Sequence, residues 1–70
     1  MNDNIRYKFS SLIDNFVNCD DSVEALNRLG QLIGFRECCS VLPGFNPEDW
    51  FDMGELIEGA IRCRKEKLCC

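Results

Sequence analysis

The sequence predicts an all-α fold, a compact bundle of three main helices, on three observations. Apolar residues recur at helical spacing in three stretches, near residues 3–18, 21–33 and 47–67. Each stretch begins at a side chain that can cap a helix. No linker between the stretches is long enough to divide a chain of 70 residues, so we expect a single domain over residues 1–70.

The first helix is predicted from a single apolar stripe. Asn2 or Asp3 can cap its start, and the polar stretch 18–20 ends it. At 100° per residue Tyr7 falls opposite the stripe, so its ring is expected to be exposed. The stripe consists of Ile5, Phe9, Leu12, Ile13, Phe16 and Val17.

The second helix opens with a capping box, Asp21 followed three residues later by Glu24. Its apolar residues cover nearly half of the helix surface, which is wide enough to touch two neighbours. Gly34 is suited to the left-handed position that ends a helix, so the helix is predicted to stop at residue 33. A short helix or irregular segment is then expected before the turn at Pro43 and Gly44.

The third helix has the clearest start, because Asn46 can cap it and Pro47 suits its first position. Its charges are sorted along the chain. Acidic residues occupy the first part of the helix, and basic residues occupy its end, which complements the helix macrodipole. The acidic residues are Glu48, Asp49, Asp52, Glu55 and Glu58, and the basic ones are Arg62, Arg64, Lys65 and Lys67.

The composition excludes several classes of function. The chain has no His, a net charge of −4 and a pI near 4.6. Without His there is no Ser-His-Asp or Cys-His catalytic site, so we predict no enzyme activity and no cofactor. The few cations argue against direct nucleic-acid binding. No apolar run is long enough for a secretory signal or a membrane span, so a cytoplasmic protein without membrane contact is expected.

The chain has six cysteines, and their spacing does not resemble a disulfide framework or a zinc knuckle. We expect free thiols, as is usual in the cytosol. One interpretation makes Cys19, Cys39 and Cys63 small core residues. An alternative function is a zinc-binding or redox-responsive thiol site, drawn from Cys38, Cys39, Cys63, Cys69 and Cys70.

The predicted function is a small acidic protein-binding module, of the inhibitor or adaptor kind. Its binding site is the outer face of the third helix, where Phe51 is an apolar anchor among carboxylates that steer a basic partner. Such a partner includes the class of nucleic-acid-binding proteins. A structural homodimer is the second alternative, because a shared core would support so small a chain. The steering carboxylates are Glu48, Asp52, Glu55 and Glu58.

Overall fold

Three α-helices make up the fold: α1 is Asp3–Val17, α2 is Ser22–Ser40 and α3 is Pro47–Cys69. The computed structural model describes residues 2–69, and the side chains of residues 2–67. Each helix packs against the other two, which confirms the predicted all-α bundle. Among the described residues, no helix combines the length and the apolar content needed to cross a membrane.

Each helix begins at the cap that the sequence predicts. The Asn2 carboxamide oxygen accepts a hydrogen bond from the backbone N–H of Asn4 at 2.7 Å. The Asp21 carboxylate accepts one from the N–H of Val23 at 2.8 Å, and a side-chain oxygen of Asn46 accepts one from Glu48 at 2.9 Å. These side chains satisfy backbone donors that the first turn of a helix leaves without a partner.

The predicted end of α2 at residue 33 is wrong, because the helix continues through Gly34 to Ser40. Glycine inside a helix costs only about 1 kcal/mol relative to alanine, and packing beyond it outweighs that cost. The Phe35 ring stacks on Phe9 with centroids 6.0 Å apart, and Cys39 is buried. The short irregular segment is therefore residues 41–46. Gly44, with a φ of 78°, supplies the left-handed turn within it.

The core lies between the inner stripes of the three helices. Phe9, Leu32 and Met53 are its most deeply buried large side chains, one from each helix. Leu29, Phe35 and Ile61 are partly buried and pack against this centre. The buried apolar residues are Phe9, Phe16, Ala25, Leu32, Cys39, Met53, Ile57 and Ala60.

Candidate partner-binding face

The side of the molecule formed by α2 and α3, which we call the α2–α3 face, carries two exposed rows of side chains. On α2 the row is mainly apolar, with Val23, Leu26 and Ile33 exposed by 76%, 71% and 48%. On α3 the row begins with Phe51, which is 63% exposed. The remaining members of the α3 row are charged: Glu55, Glu58, Arg62 and Lys65. Isolated exposed apolar residues are common, but Ile33 and Phe51 line the same depression between the two helices, and Leu26 lines the next one along α2.

A shallow groove runs between the two rows. Near the start of α2 it is lined by Leu26, Leu29 and Ile61, together with the stem of Lys65. Towards the end of α2 it is lined by Ile33. The α3 side there is formed by Phe51, Gly54, Glu55, Ile57 and Glu58. The groove floor is therefore mainly apolar, and its α3 edge is acidic beside Ile33 and basic at Lys65.

All five predicted binding residues are exposed on α3, but they do not all lie at the groove. Phe51, Glu55 and Glu58 line its α3 edge. Glu48 and Asp52 are exposed and follow the outer side of the helix, farther from α2. The five positions thus form a continuous acidic strip that extends from the groove edge to the outer surface of α3.

Arg36 closes the groove beside Phe51 and was not identified from the sequence. Its guanidinium lies 3.6 Å from the centroid of the Trp50 ring, and its Nε donates a hydrogen bond to the Trp50 carbonyl at 2.9 Å. A Cβ at position 54 would be 2.5 Å from Nη2 of Arg36, so Gly54 makes room for this approach. Trp50 in turn meets Phe51 edge to face, with ring centroids 5.3 Å apart. The exposed Phe51 ring therefore rests on a layered support.

The α2 row was also missed as part of a site, although the sequence carried a signal for it. The apolar arc of α2 is wider than one neighbour can cover, and the structure fully buries only its inner members. Val23 and Leu26, on the outer edge of that arc, have no covering element among the described residues. The apolar arc of α2 is wider than the part that the other two helices cover, and this excess is the sequence signal for a second contact surface.

The predicted thiol site does not assemble in the described part of the chain. Cys38 and Cys63 are exposed on different helices, and no group of three metal-ligating side chains occurs among the described residues. Cys39 is buried, as the core interpretation expects, and burial, together with the neighbouring Cys38, raises the pKa of its thiol. That interpretation is wrong for Cys63. The Cys69 side chain and Cys70 lie outside the described residues.

The sequence matches no protein-family model, and neither a curated protein nor a solved structure is similar to it. The chemistry of the α2–α3 face is therefore the basis on which a function can be proposed.

Proposed function

We propose that this chain is an acidic protein-binding module that contacts a basic partner segment through the acidic strip of α3. The observation that carries the proposal is Phe51, an exposed ring set among exposed carboxylates and supported from behind by Trp50. A rigid aromatic side chain contributes much of the affinity at protein interfaces, and surrounding charge sets the association rate and selects partners of opposite sign.

The electrostatics of the strip favour a basic segment. Glu48, Asp52, Glu55 and Glu58 have no ion-pair partner among the described residues, so their charges are available to a ligand. The net charge of −4 adds a long-range attraction for cations. The apolar groove beside the strip suits the non-polar side of the same segment, which makes a basic amphipathic helix the preferred ligand.

The test uses a synthetic helical peptide of leucine and lysine, with the leucines on one face. Trp50 is the single tryptophan of the chain and lies against Phe51, so its fluorescence reports binding directly. We expect Asp52→Arg to weaken binding by roughly fivefold and Phe51→Ser by about tenfold or more. Asp14→Arg is the matched control, because Asp14 is exposed on α1 and the change in net charge is the same.

Two results would overturn the proposal. One is that Asp52→Arg and Asp14→Arg weaken peptide binding equally, which would show a dependence on net charge alone. The other is that the peptide does not change Trp50 fluorescence or bind by calorimetry at low ionic strength, where charge attraction is strongest. Helicity measured by circular dichroism confirms that each variant is folded before its binding is compared.

A further inference from the structure

We propose that the α2–α3 face also pairs with a second copy of this chain, forming an antiparallel homodimer in which α3 lies along α3 of the partner subunit. This inference goes beyond the proposed function. It rests on how the two rows of the face are ordered along their helices, and not on the acidity of α3.

When two copies of α3 lie antiparallel, the charges of the α3 row on one copy meet opposite charges on the other. Its members follow helical spacing in the order Phe51, Glu55, Glu58, Arg62 and Lys65, so they project from one side of the helix. In an antiparallel pair centred between residues 58 and 59, Glu55 faces the partner's Arg62. Phe51 then lies within one residue, about 1.5 Å, of the level of the partner's Lys65, which is close enough for the long lysine side chain to make a cation–π contact. A two-fold axis produces each of these pairs twice.

The charges in this row are free to pair in this way. Neither Glu55 nor Arg62 forms an ion pair with another of the described residues. Both are exposed, and they lie two turns apart, so one molecule presents separate acidic and basic segments on a single row. A basic partner protein complements only the acidic segment, whereas a second copy complements both.

The same two-fold rotation also places the α2 row against the α2 row of the second copy, in the opposite direction. Arg36 at the end of α2 contacts Trp50 near the start of α3, so the two helices run antiparallel side by side. Along the groove Ile33 lies with Gly54 and Ile57, and Leu29 lies with Ile61, so the level between residues 58 and 59 of α3 corresponds to about residues 29–31 of α2. Reversal about that level places Leu26 opposite the partner's Ile33, which buries both exposed apolar side chains.

The face is also large enough for a dimer. The molecule measures 41 × 17 × 17 Å. Its long side therefore projects an area of about 700 Å², close to the ~800 Å² per partner that a standard interface buries. The pairing places four helices face to face, and the apolar side chains that it covers are Phe51 and the exposed row of α2.

The proposed dimer and the proposed partner binding use some of the same residues, but different variants test each of them. Phe51 and Glu55 are covered in the dimer, so a basic partner that uses them competes with the second copy. Glu48 and Asp52 lie on the outer side of α3 and stay accessible in both states. Asp52→Arg therefore tests partner binding at a position outside the dimer row, whereas Arg62→Glu tests the dimer at a position outside the acidic strip.

The experiment is a charge exchange between residues 55 and 62, followed by sedimentation equilibrium and native mass spectrometry under reducing conditions. Glu55→Arg alone and Arg62→Glu alone each place like charges opposite one another at two positions of the dimer. We expect each to raise the dimer Kd by about tenfold or more. Mixing the two variants restores opposite charges at both positions, so we expect a heterodimer that forms as tightly as the wild-type dimer.

Glu58→Gln provides a second variant that separates the two proposals. Glu58 lies next to the two-fold axis and faces its own copy, so removing its charge is expected to tighten the dimer and weaken binding of the basic peptide. A wild-type chain that stays monomeric at millimolar concentration overturns the inference. So does a dimer whose Kd is unchanged by either charge reversal, or a mixture of the two variants that forms no heterodimer.

Discussion

Arg64 and Arg36 each donate a hydrogen bond to the backbone of a neighbouring helix, at opposite ends of the molecule, and their surroundings differ. Arg64 is 8% exposed and donates to the carbonyls of Phe16 and Cys19, where α1 ends. Among the described residues the Phe16 carbonyl also accepts a hydrogen bond from the N–H of Cys19 at 3.3 Å, whereas the Cys19 carbonyl accepts from Arg64. Arg64 therefore joins α3 to the end of α1 and to the turn that follows it. Its guanidinium also lies 5.7 Å from the centroid of the Phe16 ring.

Arg36 donates to the carbonyl of Trp50, a residue in the first turn of α3, where the carbonyl already has a partner within the helix. The Trp50 indole N–H is buried with no hydrogen-bond partner among the described residues, and the Phe51 ring beside it is exposed. The hydrogen bonds of Arg64 are thus satisfied, although the groove continues past it beside Leu26 and Lys65. The Arg36 end retains an unpaired donor and an exposed ring, and it borders the proposed interface. The difference separates a guanidinium whose bonds tie α3 to α1 from one that supports an exposed ring at the proposed interface.

The largest expected effect is that of Arg64→Met, which keeps most of the side-chain volume and removes the donors. Hydrogen bonds from charged groups contribute about 1.5–3 kcal/mol each, and buried carbonyls without a partner are penalised further. We expect the free energy of unfolding, measured by urea denaturation, to fall by about 2–3 kcal/mol.

Lys67→Met is the matched control, because Lys67 also reaches the end of α1, where its Nζ lies 3.0 Å from Oδ1 of Asn18, but it is exposed. Exposed contacts of this kind contribute little. If Arg64→Met were no more destabilising than Lys67→Met, the distinction between the two ends of the molecule would be lost.

The sequence predicts the helix starts well because the signals are local. Asn2, Asp21 and Asn46 each bond to the backbone two residues onward, whatever the rest of the chain does. The end of α2 was mispredicted because Gly34 is a local signal that distant packing overrides. The contact of Phe35 with Phe9 depends on where α1 lies, and spacing within α2 carries no information about that position.

The same reasoning explains which parts of the site could be predicted. The helical wheel places Phe51 away from the apolar stripe but leaves open whether the ring is exposed or packs under the loop that precedes α3; in the structure the ring is exposed. Arg64 was assigned to the macrodipole of its own helix, whereas it serves the carbonyls of α1. The outer position of Val23 and Leu26 depends on which edge of the α2 arc the other helices cover, which is a property of the assembled bundle.

A moderate effect is expected for Arg36→Ala. The substitution removes one hydrogen bond to a carbonyl that keeps its helical partner, together with a stacked cation, so we expect a loss of about 1–1.5 kcal/mol in the free energy of unfolding. Because Trp50 is the single tryptophan, its emission should shift to longer wavelength as solvent reaches the uncovered ring.

Arg28→Ala serves as the control for Arg36→Ala. Arg28 lies 3.2 Å from Glu24 on the surface of α2, and such a pair contributes only about 0.3–0.5 kcal/mol. Its removal should leave the Trp50 emission unchanged. An equal loss of stability in both variants, with no change in emission for Arg36→Ala, would show that the stacked guanidinium contributes no more than an ordinary surface charge.

The smallest net effect is expected for Gly54→Ala, because two contributions oppose each other. Alanine favours the helix by about 1 kcal/mol, but its Cβ would lie 2.5 Å from Nη2 and 2.8 Å from Cζ of Arg36. The guanidinium must leave the Trp50 ring, and the stability lost in this way offsets the gain. Gly59→Ala meets no atom within 4 Å, so it should stabilise the protein by about 1 kcal/mol.

A double-mutant cycle separates the two contributions to Gly54→Ala. In the Arg36→Ala background the clash is absent, so Gly54→Ala should stabilise the protein as much as Gly59→Ala does, with a coupling energy of about 1 kcal/mol between positions 36 and 54. Gly59→Ala should show no coupling to position 36. If Gly54→Ala instead stabilised the wild-type chain fully, Arg36 would move aside freely, and the groove beside Phe51 would have no fixed boundary for a ligand to recognise.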